Sequence, residues 1–170
     1  MIKKTRNPFF LLITLFINIL GCTSSQSNVS DKLETSFKDI VEIDKLNEYF
    51  QIYVSSDQKV HKFGSDIKVY FKSITDDKIV FQVGYKIRLF IVHNNSWLEI
   101  QNKNKYFGEE SYLPSISNQN LGARLSTGVR PISPPDVGVE AKTMLRILVE
   151  GTLLPDNTPV GSFVDIYIEQ

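Results

Sequence analysis

Hydrophobic and polar residues alternate along most of the chain from about Glu48 onward. A period of two is typical of strands that bury one face, and Val, Ile, Phe and Tyr favour strands. Seven segments show this pattern: EYFQIYVSS, SDIKVYFKSIT, KIVFQV, YKIRLFIV, SWLEIQ, TMLRILVEG and SFVDIYIEQ. The residues predicted to face the core are Phe50, Ile52, Val54, Ile67, Val69, Phe71, Ile79, Phe81, Val83, Ile87, Leu89, Ile91, Leu98, Ile100, Leu145, Ile147, Val149, Val164, Ile166 and Ile168.

Turn residues separate these segments. Asp76-Asp77 and Asn94-Asn95 lie between neighbouring strands, and residues 155–157 (Pro-Asp-Asn) separate the last two. Asparagine accepts positive φ, so Asn94-Asn95 predicts a tight hairpin. Most spacings are too short for crossover helices, which favours antiparallel pairing. The predicted fold class is therefore all-β: an antiparallel two-sheet sandwich of about seven to eight strands over residues 48–170.

Two regions depart from the strand pattern. Residues 31–47 place Leu33, Phe37, Ile40 and Val41 at helical spacing, which predicts a short helix or a linker leading into the sandwich. Residues 102–142 form a long stretch that contains several prolines. A structureless loop of that length is uncommon inside a compact domain, so we expect one more strand within residues 123–132.

Two stretches resemble immunoglobulin-like domains of bacterial envelope lipoproteins. In YVSSDQKVHKFGSDIKVYFKSITDDKIVF, a strand is followed by a glycine turn, an acidic residue and an isoleucine that opens an alternating strand. LRILVEGTLLPDNTPVGSFVDIYIE resembles the closing hairpin of such domains. The resemblance covers residues 48–169 and implies an immunoglobulin-like sandwich. It implies no single function, because folds of this kind host many.

The first 21 residues have the layout of a targeting segment. Lys3, Lys4 and Arg6 precede the apolar run PFFLLITLFINIL. A basic start followed by an apolar stretch of this length is typical of a secretory signal peptide. A membrane-spanning helix needs about 18 or more apolar residues, and this run is shorter and interrupted by polar residues. We therefore expect residues 1–21 to be a signal peptide.

The only cysteine of the chain, Cys22, follows this run directly. The sequence Ile-Leu-Gly-Cys resembles the lipobox of bacterial lipoproteins. The resemblance implies transfer of a diacylglyceryl group to the Cys22 sulfur, cleavage after Gly21 and acylation of the new amino terminus. A free cysteine in an ordinary signal sequence is the alternative. Two or three acyl chains anchor a protein firmly, whereas one chain binds only marginally. The expected partner is thus the membrane, reached through the Cys22 lipid.

Small polar residues, TSSQSNVS, follow the cysteine, and we predict a flexible tether over residues 22–30. Thr23 lies where aspartate signals inner-membrane retention in lipoproteins of enteric-type bacteria. In a host with two membranes, Thr23 favours the outer one. The expected location is the cell membrane or outer membrane, with the domain facing the periplasm or the exterior.

Composition supports one domain without a nucleic-acid partner. The chain has 19 basic and 19 acidic residues. Removing Lys3, Lys4 and Arg6 leaves 16 against 19, so the mature protein, residues 22–170, has a net charge near −3. A nucleic-acid partner would favour a basic face. The 149 residues of the mature protein (170 − 21) are the usual length of one domain. A single cysteine permits no internal disulfide.

No catalytic constellation stands out in the sequence. His61 and His93 lie beside predicted turns and are interpreted as exposed loop residues; a metal site would require both to converge with carboxylates. The pairs Asp76-Asp77 and Glu109-Glu110 point to opposite faces of an extended chain and are interpreted as turn or solubility residues. The sequence has no Asp-x-Asp-x-Asp-Gly loop and no Gly-x-Ser-x-Gly motif. We predict no cofactor, no metal site and no enzyme activity.

Two features suggest binding instead. An aromatic outer face could stack sugar rings or contact a protein, and Trp97 beside the Asn94-Asn95 turn is the best single anchor. The residues at outward positions are Tyr70, Phe90, Leu148, Phe163 and Tyr167. Alternatively, the 31–46 helix or the 102–142 segment covers that face, and Trp97 packs at the edge of a sheet.

The second feature is the segment GARLSTGVRPISPP, residues 122–135. Some immunoglobulin-like cysteine-protease inhibitors of bacteria and protozoa use a Thr-Thr-Gly loop and an Arg-Pro loop as wedges, and this segment resembles both. Ser126-Thr127-Gly128 and Arg130-Pro131 lie almost together here, whereas that family carries them on separate loops. The resemblance implies Thr127 and Arg130 as candidate contact residues.

The sequence as a whole therefore predicts a lipid-anchored envelope protein that acts as a non-enzymatic binding or structural module. Its expected partner is an envelope protein or a glycan. The alternative is an inhibitor or regulator of an envelope enzyme that acts through the 122–135 segment.

Overall fold

The computed structural model describes residues 25–55, 60–77, 79–81, 86–104, 111–112 and 125–170. These form α1 (Ser25–Ile40), β1 (Phe50–Val54), β2 (His61–Lys62), β3 (Ile67–Ser73), β4 (Ile79–Phe81), β5 (Lys86–His93), β6 (Ser96–Ile100), β7 (Ser111–Tyr112), β8 (Ser126–Val129), β9 (Lys142–Leu153) and β10 (Thr158–Glu169). Cys22, Thr23 and the predicted signal peptide lie outside the described residues. Nowhere in these ranges does a helix combine the length and apolar character needed to cross a membrane.

The strands form two sheets. The smaller sheet has the order β1-β3-β8, and the larger has the order β2-β10-β9-β4-β7, with β5 paired to β9 and β6 paired to β5. β9 and β10 pair antiparallel along their full length, from Thr158↔Leu153 to Glu169↔Lys142. The short β2 pairs with β10 in parallel. Apart from that contact the strand pairs are antiparallel, so the predicted all-β, two-sheet architecture is confirmed at this level.

Strand register follows from the alternation in the sequence. In β3, the residues predicted to face inward are buried, while Lys68 and Lys72 are exposed and Tyr70 is half-buried. The β5–β6 hairpin turns at Asn94 and Asn95, whose φ angles are 50° and 56°. Two consecutive positive φ angles match the twist of an antiparallel pair, which is the reason asparagine occupies both positions.

The main core lies between the two sheets. It contains the inward residues of both, among them Phe50, Phe71 and Phe81, whose rings contact one another at centroid distances of 5.1–6.3 Å. A second, separate cluster lies on the outer face of the larger sheet, where α1 packs. Phe37 and Val41 from α1 and the residue after it are buried there. The fold therefore has three layers: the smaller sheet, the larger sheet and α1.

Two predictions need correction, and a third is confirmed. α1 begins at Ser25, so residues 25–30, predicted as tether, are helical, and the helix ends at Ile40. His61, predicted as an exposed loop residue, is buried in β2, and burial lowers its pKa. The extra strand expected within residues 123–132 is β8, so this prediction is confirmed.

Candidate functional site

Aromatic rings from α1 and the larger sheet surround one buried arginine. The ring of Phe37 contacts Phe90, Trp97 and Phe163 edge-on at centroid distances of 5.2, 5.7 and 5.7 Å. The Cζ atom of Arg146 lies 3.8 Å from the ring centre of Phe163, 4.4 Å from that of Phe37 and 4.5 Å from that of Trp97. These five residues are called the Arg146 cluster below.

The charge of Arg146 is fully matched by protein carboxylates. Its Nε and Nη2 atoms each donate to Asp165 at 2.8 Å, and Nη1 donates to Glu34 of α1 at 3.2 Å. Burial lowers the pKa of Arg146, but hydrogen bonds and attraction from Asp165 and Glu34 outweigh burial and raise it above its ordinary value. Glu34 and Phe37 of α1 both contact Arg146 of β9. The Arg146 cluster therefore attaches α1 to the larger sheet.

The prediction that the outward aromatic residues are exposed is therefore wrong for part of them. Phe90 and Leu148 are fully buried, and Phe163 is half-buried beside α1. Trp97, predicted as an exposed anchor, is only 8% exposed, and its indole N–H donates to the Leu33 carbonyl oxygen at 2.8 Å. For these four residues the alternative prediction, that the helix packs over this face, is confirmed. α1 therefore covers Phe90, Leu148 and Trp97, and Phe163 stays partly accessible at the edge of the helix.

A groove of about 400 Å³ lies beside α1. Its lining includes Glu34, Lys38, Asp44, Glu48 and Phe163. Glu34 is already paired with Arg146, and no metal-binding group of three or more His, Cys, Asp or Glu occurs within the described ranges. This groove has charged walls of both signs but no assembled site.

The outer face of the smaller sheet carries a different arrangement. Tyr53 of β1 lies directly opposite Tyr70 of β3, and their rings stack at a centroid distance of 5.4 Å with an interplanar angle of 18°. Tyr53 is 38% exposed, and Tyr167 is the other exposed aromatic side chain in the described part of the chain. Such cross-strand aromatic pairs stabilise a sheet and also present apolar surface with hydroxyl groups. No described element packs on this face.

Two lysines flank the tyrosine pair. Lys68 and Lys72 lie two residues before and after Tyr70, so all three side chains project from the same face. The ammonium nitrogen of Lys68 lies 5.1 Å from the Tyr70 ring centre. Gln51, exposed and opposite Lys72, completes the face. Tyr53, Tyr70, Lys68, Lys72 and Gln51 are called the tyrosine platform below.

A shallow groove of about 340 Å³ continues the platform over β8. Gly128 lies opposite Lys68 and has no side chain to fill the space. The polar lining comes from Lys68 and from Asp66, Asn104, Ser126 and Thr127. The platform and the groove together form one open surface with aromatic, cationic and amide groups.

One rim of this groove is held by a charged contact. Arg130 pairs with Asp66 through two hydrogen bonds, one from Nε at 2.8 Å and one from Nη2, and Asn104 donates to the same carboxylate at 2.9 Å. Hydrogen bonds from Arg130 and then Asn104 lower the pKa of Asp66 to about 2. Asn102 accepts the backbone N–H of Arg130 at 2.9 Å, which fixes the end of β8.

The loop prediction for residues 122–135 needs correction at Thr127. Residues 126–129 form strand β8 paired with β3 instead of a protruding loop. Thr127 lies opposite Val69 and is 4% exposed, so it contributes to the floor of the groove and does not protrude. Arg130 is engaged with Asp66 at the groove rim.

The structure brings Tyr70 and Arg130 to the same region and leaves Tyr167 elsewhere. Tyr167 is 50% exposed on β10 of the larger sheet, with the Lys142 ammonium 4.5 Å from its ring centre. Sequence reasoning did not single out Tyr53, Lys68 or Lys72 as binding residues. The alternation in EYFQIYVSS does place Tyr53 at an outward position. Only the register between β1 and β3 shows that it lies beside Tyr70.

Comparison with known proteins does not assign a family. No protein-family model matches the chain, and no curated protein matches it. Among solved structures, the chain is similar to a cohesin module from a Clostridium perfringens family 33 glycoside hydrolase, with 10% sequence identity and a TM-score of 0.28. That alignment covers 71% of this chain and 97% of the module. A TM-score this low does not establish a shared fold.

Proposed function

We propose that this protein is a lipid-anchored envelope protein whose immunoglobulin-like sandwich is a non-enzymatic binding module. The observation that carries the binding role is a stacked tyrosine pair on an outer sheet face, in which Tyr53 is exposed and Tyr70 is half-buried. Large exposed aromatic residues on a flat face are typical of interaction sites. The lysines and the adjacent groove supply polar groups beside the rings.

Support for the anchor comes from the sequence. The basic start, the apolar run and Gly21-Cys22 agree with a lipoprotein signal peptide, and Cys22 is the only thiol. α1 begins at Ser25, three residues after Cys22. At most about 10 Å of extended chain would thus separate a lipid on Cys22 from the first residue of α1. The domain would face the periplasm or the exterior.

The anchor is tested by labelling cells with a radioactive fatty acid and fractionating them. The wild-type chain should carry label and sediment with membranes, and Cys22→Ser should carry none and leave the membrane fraction or remain unprocessed. Labelled, membrane-bound Cys22→Ser protein would contradict the anchor.

The binding role is tested by a photo-crosslinking amino acid placed at Tyr53 in the full chain in living cells. We expect a discrete crosslinked product with a protein or glycan. The matched control places the same group at Tyr167, an exposed tyrosine on the other sheet. Equal products at both positions, or none at Tyr53, would contradict a platform-specific ligand.

A further inference from the structure

We propose that the tyrosine platform binds a linear acidic polysaccharide, one that repeats carboxylate groups along its sugar chain. This inference rests on the proposed binding function and specifies the ligand of the same face. The occupant is inferred from the charge, the spacing and the shape of the platform.

Charge complementarity is the first argument. Lys68 and Lys72 are both exposed, and the other platform residues, Gln51, Tyr53 and Tyr70, carry no charge at neutral pH. The acidic residue nearest in the groove, Asp66, is already paired with Arg130. The mature chain is near −3 overall, from 16 basic and 19 acidic residues, so the platform is a positive area on a negative protein. Such an area attracts anions and repels cations.

Spacing is the second argument. Lys68 and Lys72 are four residues apart on one strand, which places their backbone positions about 13 Å apart. A chain with repeated acidic groups along its length can pair with both lysines at this backbone spacing. Tyr70 lies midway between them, and its partner Tyr53 widens the apolar surface on which a sugar ring can pack.

Shape is the third argument. The groove over Gly128 continues from the platform and is lined by the amide of Asn104 and the hydroxyl of Ser126. Amides and hydroxyls both donate and accept hydrogen bonds, as sugar hydroxyl groups require. A polymer running along β3 from Lys72 to Lys68 and into the groove would therefore meet ammonium groups, aromatic rings and neutral polar groups.

The test compares two polymers that differ only in charge. The full chain, purified in detergent, is titrated with polygalacturonate and with methyl-esterified polygalacturonate, and binding is measured by affinity electrophoresis. We expect binding to polygalacturonate that weakens with added salt, because screening shortens the range of exposed charges. The esterified polymer should bind about 2- to 30-fold more weakly, because it lacks the charges that pair with the two lysines.

Variants assign the binding to the platform. Lys68→Gln with Lys72→Gln should weaken polygalacturonate binding about 2- to 30-fold, the range expected for two exposed ion pairs. Lys142→Gln is the matched control for Lys68→Gln alone, because each removes one charge from a lysine that lies over a tyrosine ring, on opposite sheets. The variants should keep the wild-type melting temperature. A loss in Lys142→Gln equal to that in Lys68→Gln would overturn the proposal, since attraction would then be general.

The remaining outcomes separate this inference from the proposed function. Equal binding of both polymers that is lost in Tyr53→Ala would overturn the acidic ligand and leave the platform as a binding site. Binding of neither polymer, together with a specific crosslink at Tyr53, would do the same. Binding of neither polymer and no crosslink at Tyr53 would overturn both proposals.

Discussion

Replacing Phe37 by alanine should weaken the attachment of α1 while the sandwich stays folded. Phe37 is fully buried, and it belongs to the outer cluster under α1 instead of the core between the sheets. Removing a buried phenylalanine costs about 3–5 kcal/mol, and this cost includes its edge-on contacts with Phe90, Trp97 and Phe163. That free energy corresponds to a decrease of about 10²- to 10⁴-fold in the ratio of docked to undocked helix.

The chain contains a built-in reporter for this change. Trp97 is the only tryptophan, it is 8% exposed, and its indole N–H donates to the Leu33 carbonyl oxygen on α1. Undocking would expose the indole ring, so the emission of Phe37→Ala should shift to longer wavelength and acrylamide should quench it more strongly. Hydrogen exchange of α1 amides should accelerate by up to the same 10²- to 10⁴-fold, because an isolated helix of this length is marginal in water.

Ile40→Ala is the matched control. Ile40 is on the same helix but is 38% exposed, so its truncation should change stability by no more than about 0.5 kcal/mol. Native-like tryptophan emission and unchanged α1 exchange in Phe37→Ala would refute the role of this ring. Loss of the cooperative unfolding transition of the strands would refute the separation of the two clusters.

Two further predictions concern the sandwich and the groove rim. Gly151→Ala should destabilise the protein by about 1–3 kcal/mol in urea denaturation, because the new Cβ would lie 2.8 Å from Phe81 Cε1. Gly138→Ala is the control and should be nearly neutral, because no atom lies within 4 Å of its new Cβ. Equal effects of the two substitutions would contradict this prediction. The lowered pKa of Asp66 means that its carboxylate stabilises the fold above its ordinary pKa of 3.8 and stops doing so as the pH falls to about 2. The stability difference between wild type and Asp66→Asn should therefore shrink over that range, and a pH-independent difference would contradict the role of the Arg130 contact.

Most of the fold follows from local sequence pattern. Alternation in segments such as SDIKVYFKSIT sets which residues face the core, and Asn94-Asn95 sets a tight hairpin, because both depend on residues close in sequence. The start of α1 was missed by six residues. The polar residues 25–30 carry no apolar face, so periodicity gave no signal there, although the helix extends through them.

The candidate site depends on contacts that the sequence pattern does not contain. The alternation of inward and outward residues places Tyr70, Phe90 and Tyr167 alike at outward positions. It does not show which outer face a helix covers. The amphipathic spacing of Leu33 and Phe37 required some apolar partner, and only the tertiary structure shows that Phe90 and Trp97 provide it. Likewise, the pairing of Tyr53 with Tyr70 depends on register between β1 and β3.

The two outer faces of the sandwich differ in what packs on them, and the two sheets separate them. α1 packs on the larger sheet, whereas the tyrosine platform lies on the smaller one. Stacked sheets are about 10 Å apart, and changes at that distance without shared partners add to within about 0.5 kcal/mol. Phe37→Ala should therefore change polygalacturonate affinity by no more than about twofold, and its effect should add to that of Lys68→Gln in the double variant. A larger departure from additivity would mean that docking of α1 shapes the platform, and the segment next to Cys22 would then regulate binding on the far side of the domain.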